Sequence, residues 1–192
     1  MEKVGILGGV FDPIHIGHLH IADGALRILG LSKIIFIPSG DPPHKARSPF
    51  ASGECRSEMI LMATADNPAF DLSYLELNRE GKSYTADTLD SLRRTNPDWK
   101  MYFIMGGDNR AEILAWKQPE RIFALAEVVI VNRPGFDDDA DIKLPWETIE
   151  IDLPGIDLSS SQIRRFIKDK IPCRYLLPPG VEDYIVRKGL YT

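Results

Sequence analysis

Cysteine is scarce in this sequence: Cys55 and Cys173 are the only two, too few for a disulfide framework or a four-thiolate zinc site. Such a chain is expected in a reducing compartment. No apolar run approaches the ~18 residues that a membrane span needs. Met1-Glu2-Lys3 leads straight into Val4-Gly5-Ile6-Leu7 without a basic leader or cleavage site, so a cytoplasmic, membrane-free location is the expectation. No asparagine opens an Asn-x-Ser/Thr sequon. Positive charge is not in excess either. Lys and Arg number 23 against 28 Asp and Glu, a net charge of −5 without long like-charge blocks, which disfavours nucleic acid or anionic lipid as the main partner. Any phosphate ligand must meet a local positive site. Repeats and low-complexity segments are absent, and 44% hydrophobic with 27% charged residues is the balance of a chain that buries a core. The 192 residues suit one domain, 1–192, with a small C-terminal helical part from about 159 to 192.

Strand and helix patterns alternate along the chain. Residues 4–7 read as a strand and Gly8-Gly9 as a turn; 17–29 reads as a helix whose Leu19, Ala22, Leu26 and Leu29 form one apolar face before Gly30 stops it. The β-branched run 33–38 ends in proline, so a right-handed parallel βαβ unit is the economical reading. The polar, proline-rich segment 39–52 is too long for a simple connector and is expected to cover a ligand. Ser52 is placed to cap a helix running to about residue 65. Residues 70–77 are strand-like, 85–94 helical with Leu89 and Leu92 inward, and 101–105 and 128–131 read as buried strands. Asp137-Asp138-Asp139-Ala140-Asp141 lacks the ligand spacing of a cation loop and is assigned no chemistry. Helices over 159–169 and 181–188 follow. The whole pattern predicts an α/β fold on a doubly wound parallel sheet.

The chemistry concentrates in Gly8-Gly9-Val10-Phe11-Asp12-Pro13-Ile14-His15-Ile16-Gly17-His18, which sets two glycines after a buried strand and two histidines around the next helix start. Glycines let backbone approach a polyphosphate, and the N–H groups and dipole of a helix N-terminus favour anions. Ring N–H groups of His15 and His18 can bond the oxygens of a phosphoryl group under substitution and stabilise the charge that develops there. A lone His-x-x-His would read as two surface histidines; the strand, turn and helix supply the context that a motif requires. His20 lacks that context and is taken as a helix-face residue. Competing motifs fail. Gly81-Lys82-Ser83 imitates the end of a Walker A loop, but Glu76 occupies the earlier glycine position, and residues 5–9 lack Gly-x-Gly-x-x-Gly spacing. No nearby Cys or Glu completes a zinc set with His15, His18 and His20, so no metal ligand is assigned.

Through His15-Ile16-Gly17-His18 the chain resembles the nucleotidyltransferase superfamily marked by His-x-Gly-His, and the extended motif is similar to that of bacterial nicotinate-nucleotide adenylyltransferases. Ser39-Gly40-Asp41-Pro42-Pro43-His44-Lys45, Ser83-Tyr84-Thr85-Ala86-Asp87-Thr88-Leu89, Gly106-Gly107-Asp108 with Trp116 beyond it, Asn132-Arg133-Pro134 and Leu158-Ser159-Ser160-Ser161-Gln162-Ile163-Arg164 follow the family pattern in order, over residues 4 to about 166. The resemblance implies a Rossmann-like nucleotidyltransferase fold. It implies adenylyl transfer from ATP, accompanied by Mg2+, to nicotinate mononucleotide, giving nicotinate adenine dinucleotide and pyrophosphate in NAD biosynthesis.

The same resemblance implies catalytic roles for His15, His18, Lys45 and Arg164, with His18 foremost. It implies ATP contacts from Gly8, Gly9, Val10, Phe11, His15, His18, Gly106, Asp108, Ser159, Ser160, Ile163 and Arg164. Ser39, His44, Lys45, Thr85, Asp108, Trp116 and Arg133 are the implied mononucleotide contacts. The chemistry is coherent. A mononucleotide phosphate has a second pKa of about 6 and is largely dianionic near neutral pH, so the attacking oxygen needs no base. What remains is alignment, relief of repulsion between anions and stabilisation of departing pyrophosphate. Lys45 supplies a point charge; Ser159, Ser160 and Arg164 suit the β and γ phosphates; Asp108 suits ribose hydroxyls. Trp116 suits a pyridinium ring, and Thr85 with neighbouring amides suits a carboxylate. Val10 and Ser161 stand where the family commonly has threonine; only Ser161 keeps an oxygen. Nicotinamide mononucleotide or phosphopantetheine as acceptor, and a catalytically silent nucleotide sensor, are the alternatives. The phosphopantetheine group usually carries threonine where His15 stands. A homo-oligomer is compatible with each reading.

Overall fold

The computed structural model of the chain describes residues 1–40, 49–132 and 142–192. Its centre is a parallel sheet of β1 (Glu2–Gly9), β2 (Lys33–Pro38), β3 (Phe70–Leu72), β4 (Trp99–Gly106), β5 (Glu127–Asn132) and β6 (Ile149–Asp152). The strand order is β3-β2-β1-β4-β5-β6, and every neighbouring pair is parallel. The chain steps outward from β1 to β3, returns to lay β4 against the free side of β1, then steps outward the other way. Gly5 thus pairs with Ile34 on one side and Tyr102 on the other. This reversal between β1 and β4 is the topological switch point, where open α/β sheets form a crevice beyond the strands' carboxyl ends. The doubly wound sheet expected from the alternating pattern is present.

Among the described residues, six α-helices cover the two faces: α1 (Ile16–Leu29), α2 (Gly53–Thr64), α3 (Thr85–Thr95), α4 (Pro119–Leu125), α5 (Ser160–Lys168) and α6 (Val181–Lys188). The period-two geometry of β2 explains why its sequence is apolar at successive positions. Ile34 and Phe36 enter one core with Ile21, Met59, Ile60, Ile163 and Tyr184 from α1, α2, α5 and α6. Ile35 and Ile37 enter the other with Leu89 and Leu92 of α3 and Ile122 of α4. Each fully buried side chain of this size contributes about 1.5–3 kcal/mol relative to exposure.

Local signals fare well at the helix ends. Gly30 takes a left-handed φ of +59° after α1, and the Ser52 hydroxyl accepts from the Cys55 N–H at 3.2 Å at the start of α2. Ser159 and Gln162 form a reciprocal capping box on α5. The expected strand 70–77 is shortened to Phe70–Leu72. Ser73 Oγ accepts from the Leu75 N–H, and the Asn78 N–H donates to Tyr74 O, so the chain turns out of the ladder. Among the described strands and α-helices, two were not expected from sequence: β6, four residues long, and α4, which opens with a proline in its first turn. His44, Lys45, Arg133 and the acidic run at 137–141 lie outside the described residues.

Candidate active site

The turn after β1 is built on backbone that few residues adopt. Phe11 is left-handed at φ +52° and 2% exposed, and its ring meets His18 edge-on at 5.0 Å. His15 then caps α1. Its backbone N–H donates to His18 Nδ1 at 3.2 Å, and the two imidazoles stack at 3.7 Å. Because Nδ1 of His18 accepts, we assign the proton of neutral His18 to Nε2, which makes that end of the ring a hydrogen-bond donor. Gly17 gives this stack room: a Cβ there would lie 3.0 Å from His15 Nδ1, so the ring would have to shift. The spacing His-x-Gly-His therefore has a packing cause as well as a chemical one.

The turn is braced from several directions. Asp12, 3% exposed, accepts from the Phe50 N–H at 2.7 Å, the Ala51 N–H at 3.1 Å and the Tyr191 hydroxyl at 2.6 Å. Arg56, also buried, donates to Val10 O, Ser39 O and Ala51 O at 2.8, 2.9 and 3.3 Å. Burial pulls its guanidinium below its ordinary value while the Asp12 carboxylate pushes it back up. Burial, then the bond to Asp12, raises the Tyr191 phenol, which stays protonated and donates. From α5, Arg164 donates to Asp12 O at 2.6 Å and to Ser161 Oγ at 2.9 Å, with its guanidinium 4.6 Å above the exposed Phe50 ring. Ser160 Oγ donates to Pro13 O at 2.9 Å. Ser161 thus uses the oxygen that sequence analysis counted on, and Val10 contributes through its carbonyl.

Beyond the turn lies a cavity of about 530 Å³, within the usual range for small-ligand sites. Its wall brings together most residues singled out from sequence: Gly8, Gly9, Val10, Phe11, His15 and His18 from the turn, and Ser39 after β2. It also holds Thr85 at the start of α3, Gly106 and Asp108 after β4, Trp116, and Ser159, Ser160 and Arg164 at α5. Ile163 is not among these wall residues. Its side chain is fully buried in the core and takes no part in the cavity wall. The reason is helical geometry, since neighbours on a helix point about 100° apart and Arg164, not Ile163, faces the turn.

Asp108 curls over Gly106, where any Cβ would run into its carboxylate, and Asn109 donates to it at 3.3 Å. Trp116 has two roles: it lines the cavity and packs edge-on against Phe103, ring centres 6.1 Å apart. Lys117 beside it stands 4.1 Å over the Tyr84 ring and 3.1 Å from Asp87. Glu76 also faces the cavity; burial raises its carboxyl, against the opposing influence of the Thr88 hydroxyl that donates to it at 2.8 Å. His20 accepts no site role: its Nε2 pairs with Pro154 O at 2.8 Å. Sequence reasoning missed Asp12, Phe50, Arg56, Glu76, Lys117 and Tyr191. Asp12 alone carried a signal, its place within the glycine–histidine motif. Among the described residues no group of three or more His, Cys, Asp or Glu is arranged for a metal, and no helix is long and apolar enough to cross a membrane.

Comparison with known proteins agrees with this geometry. Residues 6–166 match the cytidylyltransferase-like family model. A protein of Moorella thermoacetica named "Probable nicotinate-nucleotide adenylyltransferase" is 43% identical, covering 98% of this chain and 91% of its own. One of the same name from Thermus thermophilus is 42% identical over 98% of this chain and 99% of its own. In structure, the Plasmodium falciparum nicotinic acid mononucleotide adenylyltransferase complexed with NaAD superposes with a TM-score of 0.82 at 23% identity, over 100% of this chain and 98% of that one. The sheet order, the switch-point cavity and the full-length likeness lead to one assignment: the chain belongs to the cytidylyltransferase-like family, within the group of the bacterial nicotinate-nucleotide adenylyltransferases.

Proposed function

We propose that the protein transfers the adenylyl group of MgATP to nicotinate mononucleotide, releasing pyrophosphate and forming nicotinate adenine dinucleotide. The observation that carries this reading is the His15–His18 stack beside the switch-point cavity, with the His18 proton assigned to Nε2 by the bond from His15 N–H. The acceptor phosphate arrives as a dianion and attacks the α-phosphorus directly, so the protein aligns and stabilises rather than removes a proton. Negative charge grows on the non-bridging and leaving oxygens, where an imidazole N–H supplies a preorganised donor. Arg164 and the serine-capped start of α5 support the view that the β and γ phosphates lie there, since one guanidinium N–H bonds the turn at Asp12 O, one bonds Ser161 Oγ on the same helix, and the other N–H groups suit an anion.

Trp116 and the start of α3 support a subsite for the pyridinium ring and its carboxylate, and Asp108 for ribose hydroxyls. Lys45, His44 and Arg133 are proposed as further acceptor contacts on the family pattern alone. Magnesium belongs to the substrate: the wall around the turn offers N–H donors, and Asp12 is committed to internal hydrogen bonds, so phosphate oxygens and water are the fitting ligands. The test is pyrophosphate release from ATP and magnesium with nicotinate mononucleotide, nicotinamide mononucleotide or phosphopantetheine. The highest kcat/KM is expected with the first. Absence of release with every one of these acceptors would sustain the silent sensor instead.

A further inference from the structure

We infer that Tyr191 is a positioning residue for the phosphate turn, acting through Asp12; this rests on the adenylyl-transfer reading for its kinetic consequence. Tyr191 follows α6 and is separated from Asp12 by 179 residues, yet its hydroxyl donates to Asp12 Oδ1 at 2.6 Å, the shortest of the three bonds to that carboxylate. The same oxygen shares only a 3.1 Å bond with the Ala51 N–H, so the phenol is its dominant partner. The backbone is left-handed at one end of the link and at the residue beside the other. Tyr191 has φ +66° and Phe11, next to Asp12, has φ +52°, a left-handed conformation unusual for aromatic residues. Such strain persists only where surrounding contacts over-determine it, and it gathers at functional sites.

Three groups of the cavity depend on where Asp12 and its neighbour sit. The Asp12 carbonyl holds Arg164 at 2.6 Å, the Pro13 carbonyl holds Ser160 Oγ at 2.9 Å, and two residues further on His15 begins α1 and fixes the His18 ring. A carboxylate that swings away from a missing phenol carries this backbone with it. The donors then miss the transition state by a fraction of an ångström, a displacement that costs rate more than ground-state binding. The ring of Tyr191 packs against the same core as α1 and α6, so removing the hydroxyl alone leaves that packing in place.

The test is Tyr191→Phe. With nicotinate mononucleotide and MgATP, kcat is expected to fall about tenfold, with both KM values within about twofold of wild type. In an Asp12→Asn background the same change should cost less than about twofold more, because the pathway is already broken. Nitrogen-15 spectra of the His18 ring provide a readout independent of turnover: the Nε2-protonated pattern of the wild type is expected to give way to mixed tautomers in Tyr191→Phe. A folded Tyr191→Phe protein with kcat within twofold of wild type, or losses that simply multiply in the double variant, would overturn the inference. If the wild type turns over no acceptor, the functional reading fails by itself and the His18 spectrum decides: unchanged, it overturns the role of Tyr191. If Tyr191→Phe does not fold, Asp12→Asn takes the same kinetic and spectral measurements, and values matching wild type overturn it equally.

Discussion

Replacing His18 with alanine removes the proposed reacting-site donor and a structural cap at once, and the two losses are read by different assays. Losing one preorganised donor to developing oxyanion charge costs about 2.7–4 kcal/mol of transition-state stabilisation, or roughly 10²- to 10³-fold in kcat. The His15 N–H loses its 3.2 Å acceptor, a capping contact of about 1 kcal/mol, and Phe11 loses its edge-on ring partner, about 0.5–1.5 kcal/mol. Together these contributions amount to about 2 kcal/mol, and at about 2–4 °C per kcal/mol for a chain of this size the melting midpoint should fall by about 4–8 °C. At a temperature well below that midpoint the variant is folded, and pyrophosphate release reports the chemical loss alone. Calorimetric ATP affinity should stay within about fivefold, because the turn amides, Arg164 and the α5 start remain. A kcat within fivefold of wild type, or a loss confined to KM, would refute the assignment of His18 to the transition state.

Trp116→Ala should raise the KM for nicotinate mononucleotide by about 2- to 30-fold, the span of a cation–π contact worth 0.5–2 kcal/mol, with kcat little altered; an unchanged KM would confine Trp116 to its packing against Phe103. Arg56→Ala strands three carbonyls and removes the buried cation that offsets the Asp12 charge, so urea unfolding should show a loss of about 3–5 kcal/mol, with Arg56→Lys recovering only part because an ammonium cannot span all three. A loss under about 1 kcal/mol would contradict that bracing role. Glu76 holds its proton more tightly folded than unfolded, so its contribution to stability declines as pH rises above its ordinary value of 4.5. Glu76→Gln should therefore gain stability relative to wild type between acidic and neutral pH, and melting curves whose separation does not widen over that interval would show that burial does not disfavour the charge.

The Gly-Gly turn, the His-x-Gly-His start of α1 and the caps at Ser52 and Ser159 were legible in sequence, for their physics is local: glycine conformational freedom, hydroxyl-to-amide bonds three residues apart, apolar spacing along one helix. The two-sided burial of β2 was legible for the same reason. Where local and tertiary signals competed, the local ones misled. The run after Phe70 reads as a strand, but Ser73 and Tyr74 turn it away; Ile163 sits between site residues in sequence and points into the core in space.

Sequence alone thus determined the α/β class, the glycine–histidine turn and the family, because each rests on residues that act within a few positions of one another. Which side chains hold that turn in place was decided only by the tertiary structure. Arg56 reaches Val10 across 46 residues, Arg164 reaches Asp12 across 152 and Tyr191 across 179. Partners so distant meet only after the sheet reverses direction at β4 and brings α2, α5 and the segment after α6 to one end of β1. Neither hydrophobic periodicity nor motif spacing encodes a meeting of that kind.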